Sequence, residues 1–250
     1  MSDIAISFSS VTKTYPSYHG FSGGIKNFLF RLPSSLREGR NRYTVLKDVS
    51  FEVKKGENFA IIGRNGVGKS TLLGLMAGVL KPNRGNIQVN GRVSPLLQLG
   101  AGFHPNLSGR RNIVLNGVLL GLTKREVLRY LDSIIEFSEI GEYIDQPVRT
   151  YSSGMYAKLG FSIVTILKPE VLLLDEVLAV GDIRFRDKCY AVMEGYRNSP
   201  DVTMILVTHS LATVLKSCDR ALWIDDKTVK MIGDPNDVVD MYREKYEQKK

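Results

Sequence analysis

NFAIIGRNGVGKSTLLGLMAGVL, residues 58–80, sets an apolar strand pattern, a glycine-rich loop and an apolar helix pattern in immediate succession. The loop GRNGVGKST, Gly63 to Thr71, matches the phosphate-binding pattern G-x-x-x-x-G-K-[S/T] in the strand-then-helix context that the pattern requires. Gly66 and Gly68 admit backbone conformations that turn several N–H groups inward, so the amides and the helix N-terminus cradle phosphate oxygens. Lys69 is placed to neutralise the outer phosphates, and the Ser70 hydroxyl to ligate Mg2+. A tight turn built for packing alone needs neither a lysine nor the two hydroxyl residues after it. The candidate nucleotide-binding residues are Gly63, Arg64, Asn65, Gly66, Val67, Gly68, Lys69, Ser70 and Thr71.

Downstream, VLLLDE (Val171 to Glu176) delivers two carboxylates to the C-terminal end of a buried strand, the edge at which open α/β sheets bind ligands. Asp175 suits a role in the magnesium shell through water, and Glu176 suits orienting or deprotonating an attacking water. Adjacent carboxylates after a strand also serve as plain helix caps; the phosphate loop upstream favours chemistry. His209 ends a third apolar strand, TMILVTH, where an imidazole can reach a γ-phosphate. With ALWID (221–225) and KMIG (230–233), these continuous apolar runs separated by helices predict a buried, largely parallel sheet.

The rest of the chain falls into three parts. Ile4, Ile6, Phe8 and Val11 alternate as a strand, and a second strand is predicted at Val45 to Val53. Between these strands Pro16 to Arg42 forms an insertion in which Ile25, Phe28, Leu29 and Leu32 share a helical face, with Lys26 and Arg31 off it. Gly109 to Lys168 is helical in pattern and predicts a separate lobe, while DVVDMYREKYEQKK predicts an amphipathic C-terminal helix fraying into a charged tail.

Composition narrows the function classes. With 250 residues, 43% hydrophobic and 24% charged, the chain buries a full core, which excludes disordered and fibrous classes. A formal charge of +8 and a pI near 9.4 point to an anionic partner without choosing one. Cys189 and Cys218 have neither CxxC nor paired spacing and read as reduced structural thiols. The N-terminus lacks a secretory pattern, and no apolar run approaches the roughly 20 residues that cross a bilayer, so the expectation is a cytosolic chain whose membrane role needs a partner.

The phosphate loop, VLLLDE and the histidine of VTHS stand in the order and spacing of ABC-type ATPases, and the resemblance covers nearly the whole chain. It implies an α/β fold: a P-loop NTPase (RecA-like) core with a mainly parallel sheet, an N-terminal antiparallel β region and an inserted helical lobe. In domain terms, residues 1–250 form one nucleotide-binding domain, with the core at 1–100 and 169–250, the lobe at 101–168 and the amphipathic insertion at 16–42. The substrate is ATP with Mg2+, and Ser70, Gln98 and Asp175 are the implied metal contacts. Gln98 in LLQLG matches the Q-loop glutamine, which makes Glu176, His209 and Gln98 the catalytic set; Tyr15 matches the aromatic that stacks on adenine.

Tyr151 to Met155, YSSGM, takes the place of the family signature LSGGQ, with Ser153 in the first glycine position and Met155 in place of glutamine. Ser152 and Gly154 keep their positions, and Ser152 begins a helix pattern, so its hydroxyl and the neighbouring amides form a second anion site. In the family that site meets the γ-phosphate held by the other subunit. Ser152, Ser153, Gly154 and Asp182 (the D-loop aspartate of AVGD) are therefore the implied contacts to ATP on a second copy, in a head-to-tail homodimer clamped by ATP. The altered signature predicts a modest ATPase rate.

LGAGFHPNLSGRRNI (99–113), YSSGM and DEVLAVGD (175–182) resemble the ABC ATPases that export bacterial O-antigen, capsule and teichoic acid. That resemblance implies a peripheral subunit at the cytoplasmic face of the inner membrane, driving a separate integral membrane permease docked near Gln98 to Asn112. Some members continue into a carbohydrate-binding domain; this sequence ends at MYREKYEQKK, so it either lacks that domain or is a fragment. The 16–42 insertion has two readings of equal weight: a helix lying on an anionic lipid surface or lipid-linked glycan, or a surface helix packed on its own domain. Nucleic acid is disfavoured as a partner, because the chain has neither long heptads nor a second cassette. His104 in GFHPN has no second ligand nearby and reads as a loop-shaping residue.

Overall fold

The computed structural model describes residues 3–16, 42–96, 102–175 and 182–246. The predicted insertion helix, Gln98, Glu176 and the charged tail at 247–250 lie outside the described residues. The chain divides into two compact units, one of residues 1–54, 61–90 and 220–250, the other of residues 55–60 and 91–219.

In the first unit, β1 (Ile4–Pro16) lies between β2 (Arg42–Lys54) and β4 (Arg84–Val89), antiparallel to both. Alternation sends Ile6, Phe8, Val49, Phe51 and Val53 inward, and the Phe8 and Phe51 rings stack at 4.6 Å. Each such large apolar side chain contributes about 1.5–3 kcal/mol when fully buried. Pro16 pairs with Arg42 at the end of the ladder, so the two residues that bound the predicted insertion lie side by side on adjacent strands.

The half of β3 (Asn58–Ile62) in this unit neighbours β8 (Arg220–Asp225), which turns back into β9 (Thr228–Gly233). Asp226 and Lys227 make that two-residue turn with φ of 43° and 67°, the twist that suits an antiparallel hairpin. The sheet is thus mixed. Helix α1 (Lys69–Met76) is shorter than the pattern to Leu80 predicts: Gly78 turns left-handed at φ 71°, and the Leu80 N–H returns to the Gly74 carbonyl at 3.0 Å.

The second unit carries β5 (Val93–Leu96), β6 (Val171–Asp175) and β7 (Thr203–Val207), parallel and adjacent in that order, with the start of β3 beside β7. Its helices are α2 (Gly109–Leu119), α3 (Lys124–Arg129), α4 (Leu131–Ser138), α5 (Ser153–Ser162), α6 (Ile183–Arg197) and α7 (Leu211–Ser217). One core joins Ile113, Val127, Ile134, Phe161, Leu172 and Phe185, all fully buried, and the Phe161 and Phe185 rings meet edge to face at 6.3 Å.

Helix α5 stops at Ser162 and runs on only as a 3-10 turn, Ile163–Ile166, where the pattern predicts helix to Lys168. Pro169 disfavours helix at Lys168, and the Tyr196 hydroxyl, 2.8 and 2.9 Å from the Val164 and Leu167 carbonyl oxygens, shares its one proton between them. Burial pushes the Cys189 and Cys218 thiols up to about 12. Among the described residues, no helix is long and apolar enough to cross a membrane.

Candidate nucleotide-binding site

In the first unit the glycine loop is shaped by what surrounds it. Phe59 to Ile62 are buried at 0–1% exposure, and the chain leaves the sheet at Gly63 with φ 154°, where a Cβ would sit 2.4 Å from the Ile224 carbonyl oxygen. Gly68 (φ 109°) is the N-cap of α1, and a Cβ there would meet Leu46 Cδ2 at 2.9 Å and Val45 Cγ1 at 3.0 Å. Side chains are excluded at both positions, and the positive φ that only glycine takes readily lets the backbone curve from the strand into the helix. With no side-chain cap at Gly68, the first turn of α1 presents N–H groups and the positive end of the helix dipole.

Lys69 is 7% exposed and its Nζ donates to the Gly63 and Arg64 carbonyls at 2.7 and 3.1 Å, so the ammonium lies back across the loop. Arg64, Asn65, Gly66 and Ser70 are exposed, while Val67 and Thr71 are half-buried. The Arg64 guanidinium lies 5.4 Å from the ring of Tyr246, in the C-terminal helix α8 (Pro235–Tyr246). Tyr15 stands on β1 of the same unit, half-buried and in register with Tyr43, with Lys13 Nζ 5.1 Å from its ring. A glycine-shaped loop, a buried lysine behind it and a serine exposed at the start of the helix are the residue types that fit a polyphosphate with its Mg2+.

In the second unit, half-buried Asp175 closes β6 opposite Val207 of β7, and exposed His209 follows two residues beyond Val207. These two predicted residues therefore share the C-terminal edge of the parallel strands. Ser152 is the N-cap of α5, its Oγ accepting the Met155 N–H at 3.2 Å, and Ser153 and Gly154 begin the helix. The residue before it, Tyr151, is fixed by donating its hydroxyl to the Tyr143 carbonyl at 2.7 Å.

Asp182 caps α6, Oδ1 accepting the Phe185 N–H at 3.0 Å and Oδ2 accepting from Lys158 Nζ at 2.7 Å. The Lys158 ammonium, then the Phe185 amide, hold this carboxyl down at about 2. Lys158 also reaches Glu139 at 3.2 Å, and Glu139 pairs with Lys188 as well. Burial works against the charge on Lys158, yet Asp182 and Glu139 outweigh it and its pKa is raised. This network joins Asp182 to the helix that Ser152 caps. No sequence motif marks Lys158, Glu139 or Lys188, whose partners lie 19 to 49 residues apart.

His104 shapes its loop, as its isolation predicts: Nδ1 accepts the Asn106 N–H at 3.3 Å and its backbone N–H donates to Asn112 Oδ1 at 2.7 Å. Asn112, fully buried, is equally silent in the sequence; its amide donates to the His104, Leu107 and Ser108 carbonyls, each at 3.1 Å.

A strand that ends in a glycine cradle and enters a helix through a buried lysine defines a P-loop nucleotide-binding protein. The chain belongs to the ABC transporter family, whose family model matches residues 46–179. It is an ATP-hydrolysing ABC transporter subunit. It is 49% identical over 241 residues to the O-antigen export system ATP-binding protein RfbB of Klebsiella pneumoniae, covering 96% of this chain and 97% of that one. It is 44% identical over 238 residues to the teichoic acids export ATP-binding protein TagH of Bacillus cereus, covering 95% of this chain and 42% of that longer protein. Its fold is that of the dimeric post-hydrolysis structure of the ATP-binding cassette MJ0796 bound to ADP and Pi, with TM-score 0.68, 18% identity and coverage of 92% and 98%.

Proposed function

We propose that this subunit powers export of a lipid-linked cell-surface polysaccharide through a separate integral membrane permease, from the cytoplasmic face of the bacterial inner membrane. The observation that carries the reading is end-to-end identity of 49% with an O-antigen export ATP-binding protein. In this reading Lys69 and the loop amides hold the phosphates, and Tyr15 stacks on the adenine. Mg2+, held by Ser70, Gln98 and Asp175, neutralises phosphate charge when bound. Glu176 activates water while His209 and Gln98 orient the γ-phosphate.

Ser152, Ser153, Gly154 and Asp182 address the ATP of a second copy, so the working form is a homodimer with two shared sites. The dimeric state of the MJ0796 cassette supports this assembly. Residues 1–100 and 169–250 serve as the core, 101–168 as the lobe and the insertion as a contact to anionic lipid or the glycan carrier. The test is complementation in a strain lacking its own O-antigen export ATPase but keeping the permease. Wild-type chain should restore surface polysaccharide and Lys69→Ala should not; restoration by Lys69→Ala, or by neither despite stable expression of both, would overturn the reading.

A further inference from the structure

Arg64, the second residue of the glycine loop, is held both by its backbone and by its side chain. Its carbonyl oxygen accepts from Lys69 Nζ at 3.1 Å, next to the Gly63 carbonyl, which accepts from the same ammonium at 2.7 Å. Its guanidinium lies 5.4 Å from the ring centroid of Tyr246, the last residue of α8. A cation within about 6 Å of an aromatic face is attracted by the ring quadrupole. Without such a hold, an exposed arginine keeps its full rotamer freedom, and the backbone that bears it is less confined.

The ring is itself fixed. Tyr246 is half-buried, with its centroid 5.1 Å from that of Tyr242 and 6.2 Å from that of Trp223, a β8 residue only 4% exposed. Its neighbour Lys245 pairs with Asp225, the last residue of β8. The same strand bounds the loop directly, through the Ile224 carbonyl that excludes a side chain at Gly63. The last turn of α8 therefore docks on the strand beside the loop and holds the Arg64 side chain from there. We infer that Tyr246 is a positioning residue for nucleotide binding: through Arg64 it steadies the loop carbonyl that seats Lys69, so less order has to be imposed when phosphate binds. The inference rests on the reading that Gly63 to Thr71 holds the phosphates. The gain in affinity cannot exceed what an exposed ring–cation contact supplies, about two- to fivefold.

The test is calorimetric titration of the full chain with a slowly hydrolysed ATP analogue and Mg2+, with urea unfolding of each variant alongside. Tyr246→Leu should weaken binding about two- to fivefold, and Tyr246→Phe, which keeps the ring, should bind as wild type does. A merely structural role is separated through Arg64. In Arg64→Gln, which removes the cation, adding Tyr246→Leu should weaken binding no further, whereas lost packing around Trp223 would add its own factor in the double variant. Wild-type affinity in Tyr246→Leu, or additive losses in the double variant, would overturn the inference. Lys69→Ala tests the reading beneath it. Near-wild-type binding in Lys69→Ala would remove the loop's role and the inference with it, while severe loss there beside unchanged binding in Tyr246→Leu would refute the positioning role alone.

Discussion

Gly63 is the residue on which the loop's shape depends most directly. A methyl group there would meet the Ile224 carbonyl oxygen at 2.4 Å, in a backbone conformation with φ of 154°. Gly63→Ala should therefore destabilise the fold by about 1–3 kcal/mol and lower ATPase activity, read as a drop in the urea midpoint alongside the turnover rate. Asp182 makes a pH prediction. Its carboxyl is held at about 2 against an ordinary 3.8, so the ion pair with Lys158 contributes stability that is complete above the ordinary value and is lost as pH falls through about 2. Asp182→Asn keeps an acceptor for the Phe185 N–H but removes the charge. Its Tm should lie below wild type at pH 7, and the gap should narrow steadily below about pH 4. A gap independent of pH would mean that the carboxylate acts only as a cap.

Among the elements, α5 and its cap carry the test. Ser152→Ala removes the acceptor for the Met155 N–H and should cost about 1 kcal/mol in chemical unfolding. Ser152→Asp retains a good cap, so stability should hold, while in the proposed homodimer its carboxylate would face the second copy's γ-phosphate and should abolish ATPase activity. Retained activity in Ser152→Asp would separate this helix end from ATP. The elements legible in the sequence are those whose signals are local: β3, the loop and α1 follow one another within 58–80, and Asp175 follows its own apolar run. The β8–β9 pairing is hidden because Asp226 and Lys227 turn the chain with positive φ and no glycine to mark it. Gly78 reads as helix interior in the apolar pattern although it lies beyond the end of α1. The Lys158, Glu139, Asp182 and Lys188 network leaves no trace in the sequence because its members meet only through the fold. Gln98 and Glu176 are proposed from motif position alone, since both lie outside the described residues.

In the whole molecule as we propose it, one copy's phosphate loop and another copy's Ser152 make a single site. Lys69→Ala disables the loop of its own chain but leaves Ser152 intact, and Ser152→Asp does the reverse. Head-to-tail pairing of the two variants creates one fully intact site in each mixed dimer and one doubly disabled site. The deciding assay is ATPase activity of each purified variant and of their equimolar mixture after subunit exchange. Each variant alone should be near background, and the mixture should recover roughly a quarter of wild-type activity, since about half the dimers are mixed and each has one working site of two. A mixture no more active than the mean of the two variants would contradict a shared site.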